Sequence, residues 1–148
     1  MNPFDPRSAL LAKHAQHVVL IHFPIALFVA AVVFDLLALW KPSRGLLTAA
    51  YYNLTAAAIS AAPAAFTGVL AWQWQLEGKR LKGILLSHLV LGLLSTGLIW
   101  LVWWLHFRVH RKPQRNLSAY RLPMELVTVM LVALTGHIGG FLSGVNGG

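Results

Sequence analysis

HVVLIHFPIALFVAAVVFDLLALW, residues 17–40, holds no Lys or Arg, and beyond its first residue only His22 and Asp35 are strongly polar. About 20 apolar residues suffice to cross the hydrocarbon core of a bilayer, so this stretch reads as a transmembrane helix. It is too long for the apolar region of a secretory signal, and no small-x-small cleavage site follows it, so it is expected to stay in the mature chain. Working outward, three further apolar runs of spanning length follow at 48–76, 84–107 and 122–142. The connections between them are short: KPSRG (41–45), EGKRLKG (77–83) and RVHRKPQRNLSAYR (108–121). Short connections force consecutive helices to be antiparallel neighbours, and lipid leaves backbone groups no partner outside the helix itself. The expected fold is therefore all-α: a single integral membrane domain over 1–148, built as a four-helix up-down-up-down bundle. No internal sequence repeat stands out.

Composition agrees. The chain has 148 residues, 57% hydrophobic and 11% charged, with a mean hydropathy of +0.66. A soluble domain would carry about 25% charged residues. The net charge of +8 comes from cations in the short loops, where they meet lipid headgroups, so no nucleic-acid partner is expected. The absence of cysteine excludes disulfides, thiolate metal sites, iron–sulfur clusters and covalent c-type haem attachment. Any metal must be held by nitrogen or oxygen.

Orientation follows from the loop cations. Lys41, Arg44, Arg108, Arg111, Lys112, Arg115 and Arg121 lie on one side; Arg7, Lys13, Lys79, Arg80 and Lys82 lie on the other. The excess of seven over five places both termini outside the cytoplasm of a cell inner (plasma) membrane, by the positive-inside rule.

Three histidines fall inside the apolar runs: His22 in HVVLIHFPIAL (17–27), His88 in LLSHLVLG (85–92) and His137 in LTGHIGGFL (134–142). Antiparallel packing brings all three to one layer on the terminal side. His17 lies about 7–8 Å shallower than His22 at the helical rise. An imidazole in lipid requires a partner, and several at one level point to a shared ligand. Gly92 shares the His88 face, with Ser95 and Thr96 beyond it, while Gly136, Gly139 and Gly140 flank His137. A bis-histidine haem needs two facing imidazoles and room for a flat macrocycle. Haem b is the expected cofactor, one and conceivably two. His22 and His88 come first as ligands; His137 is a rival, or the partner of His17 in a second site. A three-histidine copper or zinc site is the other metal option, although a small ion needs no groove of glycines.

Each feature also has a plain structural reading. Pro24 leaves the carbonyl of Leu20 without its donor, so the His22 ring could bond that freed carbonyl; Gly92 could serve close helix packing; the glycines beside His137 could cap a fraying helix end. Asp35 reads as the one carboxylate well within a span, close to the cytoplasmic end; it could serve as a proton or quinone-linked group, and its plain reading is that it snorkels to the surface or pairs with Arg121 or Lys41. His106 and His110 sit at the cytoplasmic end with no partner histidine at their level, so no second haem is expected there. The alanine-rich AAAISAAPAAFTG (56–68) suggests a close-packed wall, and the Trp and Tyr residues an aromatic belt.

HVVLIHFPIAL resembles the HPxxVHFPIAL opening of the membrane family catalogued as domain of unknown function 2231, and TGHIGGFLSG (135–144) resembles its closing GHxGG segment. Val18 replaces the usual proline of the opening motif. The resemblance covers the whole four-helix layout, and members often occur joined to cytochrome c-type and other redox modules, which implies a respiratory or electron-transfer role. The expectation is a haem-b-binding electron-transfer subunit. It would connect an extracytoplasmic partner, such as a cytochrome c-type protein, with quinone, and would be a non-catalytic part of a larger membrane redox complex. The competing expectation is a structural or assembly subunit of a respiratory complex with no cofactor of its own. A transporter is disfavoured, because intramembrane carboxylates are scarce and no inverted repeat is evident.

Overall fold

The computed structural model describes residues 15–75, 80–111 and 120–142. Leu76, the expected end of the second span, and the counted loop cations Arg7, Lys13, Lys79, Lys112 and Arg115 lie outside the described residues. Four helices follow in chain order: α1 (Ala15–Trp40), α2 (Arg44–Gln75), α3 (Gly83–Arg111) and α4 (Arg121–Leu142). Each is long and apolar enough to cross a membrane. Neighbours in sequence pack together, and α4 closes the ring against α1, giving the expected up-down bundle. Less than a third of each span is buried within the chain, so most of the apolar surface faces lipid.

The helices outrun the apolar runs at their polar ends. Helix α2 begins at Arg44 and α3 continues to Arg111, because a helix can project through the headgroup layer once it has crossed the hydrocarbon. Interfacial contacts support these extensions: Tyr51 stacks on His110 with ring centroids 4.0 Å apart, and the Arg108 guanidinium lies 4.5 Å from the Trp104 ring centre.

Phe28, Ala31 and Val32 of α1 meet Leu54, Ala57, Ala58 and Ala61 of α2, with Ile99, Val102 and Val132 completing the core. The alanine surface of α2 is thus a close-packed wall. Small side chains let helix backbones approach, which is the main source of packing energy where lipid tails remove the hydrophobic drive between helices. Two tryptophans belong to the packing as well as to the interface. Trp100 donates to Ala58 O (2.9 Å) and Trp103 to Thr55 Oγ1 (3.1 Å), fastening α3 to α2. Trp103→Phe, which deletes one such donor, is expected to cost about 0.5–1.5 kcal/mol, read as a lower melting temperature in detergent.

No repeat stands out in the letters of the sequence, but the two hairpins share a burial register. A shift of 71 residues carries α1–α2 onto α3–α4, and all the buried residues of α3 and α4 land on buried residues of the first hairpin. Ser95, Ile99, Val102 and His106 correspond to Pro24, Phe28, Ala31 and Asp35; Arg121, Glu125, Thr128 and Val132 correspond to Ala50, Leu54, Ala57 and Ala61. Because α1 and α3 run in the same direction within the ring, the shift relates residues at like depth in the two hairpins. Few identities mark it, among them His17/His88, Leu27/Leu98 and Gly68/Gly139. Apolar side chains substitute freely for one another in a bundle, so burial preserved the repeat where letters did not.

Candidate functional sites at the two ends of the bundle

At the terminal end, the two hairpins repeat one arrangement. His17 of α1 places Nδ1 3.1 Å from Ala64 O of α2 and 3.3 Å from Thr67 Oγ1. His88 of α3 places Nδ1 3.2 Å from Thr135 O of α4. Each imidazole lies over a glycine of its partner helix, one turn beyond the carbonyl it meets. A Cβ on Gly68 would stand 2.9 Å from His17 Cε1, and one on Gly139 would stand 3.0 Å from His88 Cε1. Both rings are half-buried, and they come from helices diagonal in the bundle. A ring whose Nδ1–H donates to a carbonyl keeps the lone pair on Nε2, which is the tautomer a metal requires.

The layer of deep histidines divides on this geometry. His22 is exposed and turns back on its own helix, with Nδ1 2.5 Å from Val18 O. The bonded carbonyl is not that of Leu20, which Pro24 frees. His137 is exposed and packs edge-on against Phe141, with ring centroids 5.0 Å apart. Three inward histidines are therefore not brought together; His17 and His88 are the inward pair. The glycines divide too. Gly139 accommodates the His88 ring itself; a Cβ on Gly92 would meet only the Thr135 methyl at 3.8 Å, and one on Gly136 would meet nothing within 4 Å. Gly140 lies beside them on α4, half-buried.

About 27 Å along α1 from His17, at the helical rise, a polar cluster occupies the other end. Asp35 of α1, His106 of α3 and Glu125 of α4 have side chains 1%, 5% and 0% exposed. His106 Nε2 lies 3.0 Å from Glu125 Oε1 and 3.4 Å from Asp35 Oδ2. Arg121 reaches both carboxylates, with Nη1 3.6 Å from Asp35 Oδ1 and Nε 3.6 Å from Glu125 Oε1. The pairing of Asp35 with Arg121 is as expected. Asp35 is not the one deep carboxylate, however: Glu125, one turn into α4, is fully buried beside it. His106 indeed has no partner histidine at its level among the described residues; its partners are carboxylates. One ligand atom from each of Asp35, His106 and Glu125 lies within 4.8 Å of the others, so the group could hold a metal ion. The i, i+4 spacing of Arg121 and Glu125 is visible in the sequence, but nothing in a single helix signals that Asp35 and His106 would join it. The shift of 71 does, since it places Asp35 upon His106.

The chain matches the model of a family described as predicted membrane protein, domain of unknown function 2231, over residues 13–147. It belongs to that family. No curated protein and no solved structure matches the chain. Membership thus establishes a multi-pass membrane protein, and both sites lie within the matched region.

Proposed function

We propose that the chain is a haem-b-binding membrane subunit that relays electrons, with His17 and His88 as the axial pair. The observation that carries this reading is the inward pair of imidazoles on diagonal helices, each with Nδ1 held at a backbone carbonyl. The residues fit the group: two nitrogen donors are what haem iron takes from a bundle, whereas a tetrahedral copper or zinc site would need further ligands that the exposed His22 and His137 do not supply from inside the bundle. Haem, when bound, supplies a one-electron couple. The chain's own contribution is orientation. Ala64 O and Thr135 O fix the tautomers, Gly68 and Gly139 seat the rings, and the open space at Gly136 leaves room beside the ring of His88.

With loop cations facing the cytoplasm, both termini and this site lie at the outer side of the plasma membrane. Electrons would pass between an extracytoplasmic partner, of cytochrome c type, and quinone or another subunit of a membrane redox complex. The competing reading, a structural or assembly subunit without a cofactor, is favoured by the same carbonyl bonds, since they also tie α1 to α2 and α3 to α4.

A visible spectrum separates the two readings. Protein purified after expression with ample haem is expected to show a Soret band and a dithionite-sensitive alpha band. His17→Ala and His88→Ala are expected to abolish both bands, while His22→Ala, His137→Ala and His110→Ala retain them. A wild-type spectrum without these bands would sink the haem reading and leave the structural one.

A further inference from the structure

The cluster at the opposite end is short of one positive charge. Asp35 and Glu125 bring two negative charges and Arg121 one positive, so with a neutral His106 the buried group carries a net −1. Among the described residues α2 brings no ion-pair partner to it, its buried Ala50 and Leu54 being the counterparts of Arg121 and Glu125 under the 71-residue shift. His110, one turn beyond His106 on α3, is exposed and stacked on Tyr51. Hydrogen-bond donors are short as well. Among the described residues Asp35 Oδ1 and Oδ2 and Glu125 Oε2 are buried without a hydrogen bond, Asp35 meeting Arg121 and His106 only at ion-pair distances of 3.6 and 3.4 Å, although buried carboxylate oxygens are costly unless hydrogen-bonded.

We propose that Asp35, His106 and Glu125 form a proton-binding site that holds one proton, shared between His106 Nε2 and the two carboxylates. The charge count selects a proton over a divalent metal. One proton brings the tetrad to zero, whereas a divalent ion would raise it to +1 beside the Arg121 guanidinium, in a medium where like charges repel strongly. Arg121 holds the carboxylates together without neutralising both, leaving the last charge to an exchangeable ligand. Its position at one end of α1, about 27 Å from the His17 layer, opens exchange to the face carrying the first and third connections. This site stands whether or not the other end binds haem.

The sign of the linkage follows. A folded state that binds one proton more than the unfolded state loses stability as pH rises. Asp35→Asn and Glu125→Gln each remove one negative charge, so the remaining carboxylate and Arg121 balance without a proton. Melting temperature in detergent, followed between about pH 6.5 and 8, where His106 of the unfolded chain has given up its proton, is expected to fall by more than about 4 °C for the wild type relative to both variants. Parallel pH profiles for wild type and variants would overturn the proposal, as would failure of both neutral variants to fold. A third overturning result is a rise in wild-type melting temperature on adding Zn²⁺ or Mn²⁺ alone that both variants lose, which would make the occupant a metal.

Discussion

Arg121→Met is expected to be the most damaging single substitution in the chain, at about 3–5 kcal/mol. The guanidinium is 3.6 Å from both Asp35 and Glu125, and its removal leaves two carboxylates together in a fully buried position with only His106 beside them. Desolvated charge without a partner costs far more than the pair contributes when intact, because the pair's Coulomb energy largely offsets its own desolvation. The same asymmetry predicts rescue. Arg121→Met combined with Asp35→Asn and Glu125→Gln removes charge from both sides and is expected to recover most of the loss. Size-exclusion profiles and melting temperatures in detergent check both statements. If the triple variant is as unstable as Arg121→Met alone, the damage lies in the lost packing of the Arg121 side chain and not in electrostatics.

The bundle was legible from residue chemistry because lipid imposes few alternatives. Apolar runs of spanning length with three short connections leave one simple topology, and the four helices fall where those runs do. Hydropathy is blind to rotation about the helix axis, and the sites depend on rotation. The reading from depth alone placed His22, His88 and His137 in one layer, but it could not tell that His22 faces out and bonds Val18 O while His17, one turn and a half shallower, faces in. Glu125 escaped notice because it lies near a span boundary, where a carboxylate is ordinarily solvated; only its apposition to Asp35 and His106 makes it interior. The repeat was hidden by the interchangeability of apolar residues, and it would have identified the decisive pairs. Under a shift of 71, the inward histidine of one hairpin predicts that of the other, and Asp35 predicts the burial of His106.

That repeat also predicts that damage in the two halves will be matched, and the glycine seats test it. Gly68→Ala would place a methyl 2.9 Å from His17 Cε1, and Gly139→Ala would place one 3.0 Å from His88 Cε1. Contacts so short force the ring to move, and the ring is the free end of a side chain while the helices are not. Overpacking of this kind costs about 1–3 kcal/mol, so both proteins are expected to fold with modest losses in melting temperature. Displacing the ring, however, pulls Nδ1 from Ala64 O or Thr135 O and frees the imidazole from the tautomer and direction those carbonyls impose. Loss of such a supporting contact lowers the affinity of a metal site by about 10–100-fold, so under the proposed haem reading haem retention in a competition with apo-myoglobin is expected to fall by that factor in each variant. Gly97→Ala, on an exposed stretch of α3 with nothing within 4 Å of its added methyl, is the control and is expected to match the wild type. Unequal losses at Gly68 and Gly139 would mean that the two histidines are not equivalent toward the proposed group. Equal losses at both seats, with the helices intact, would support equal roles for His17 and His88 in holding the proposed group.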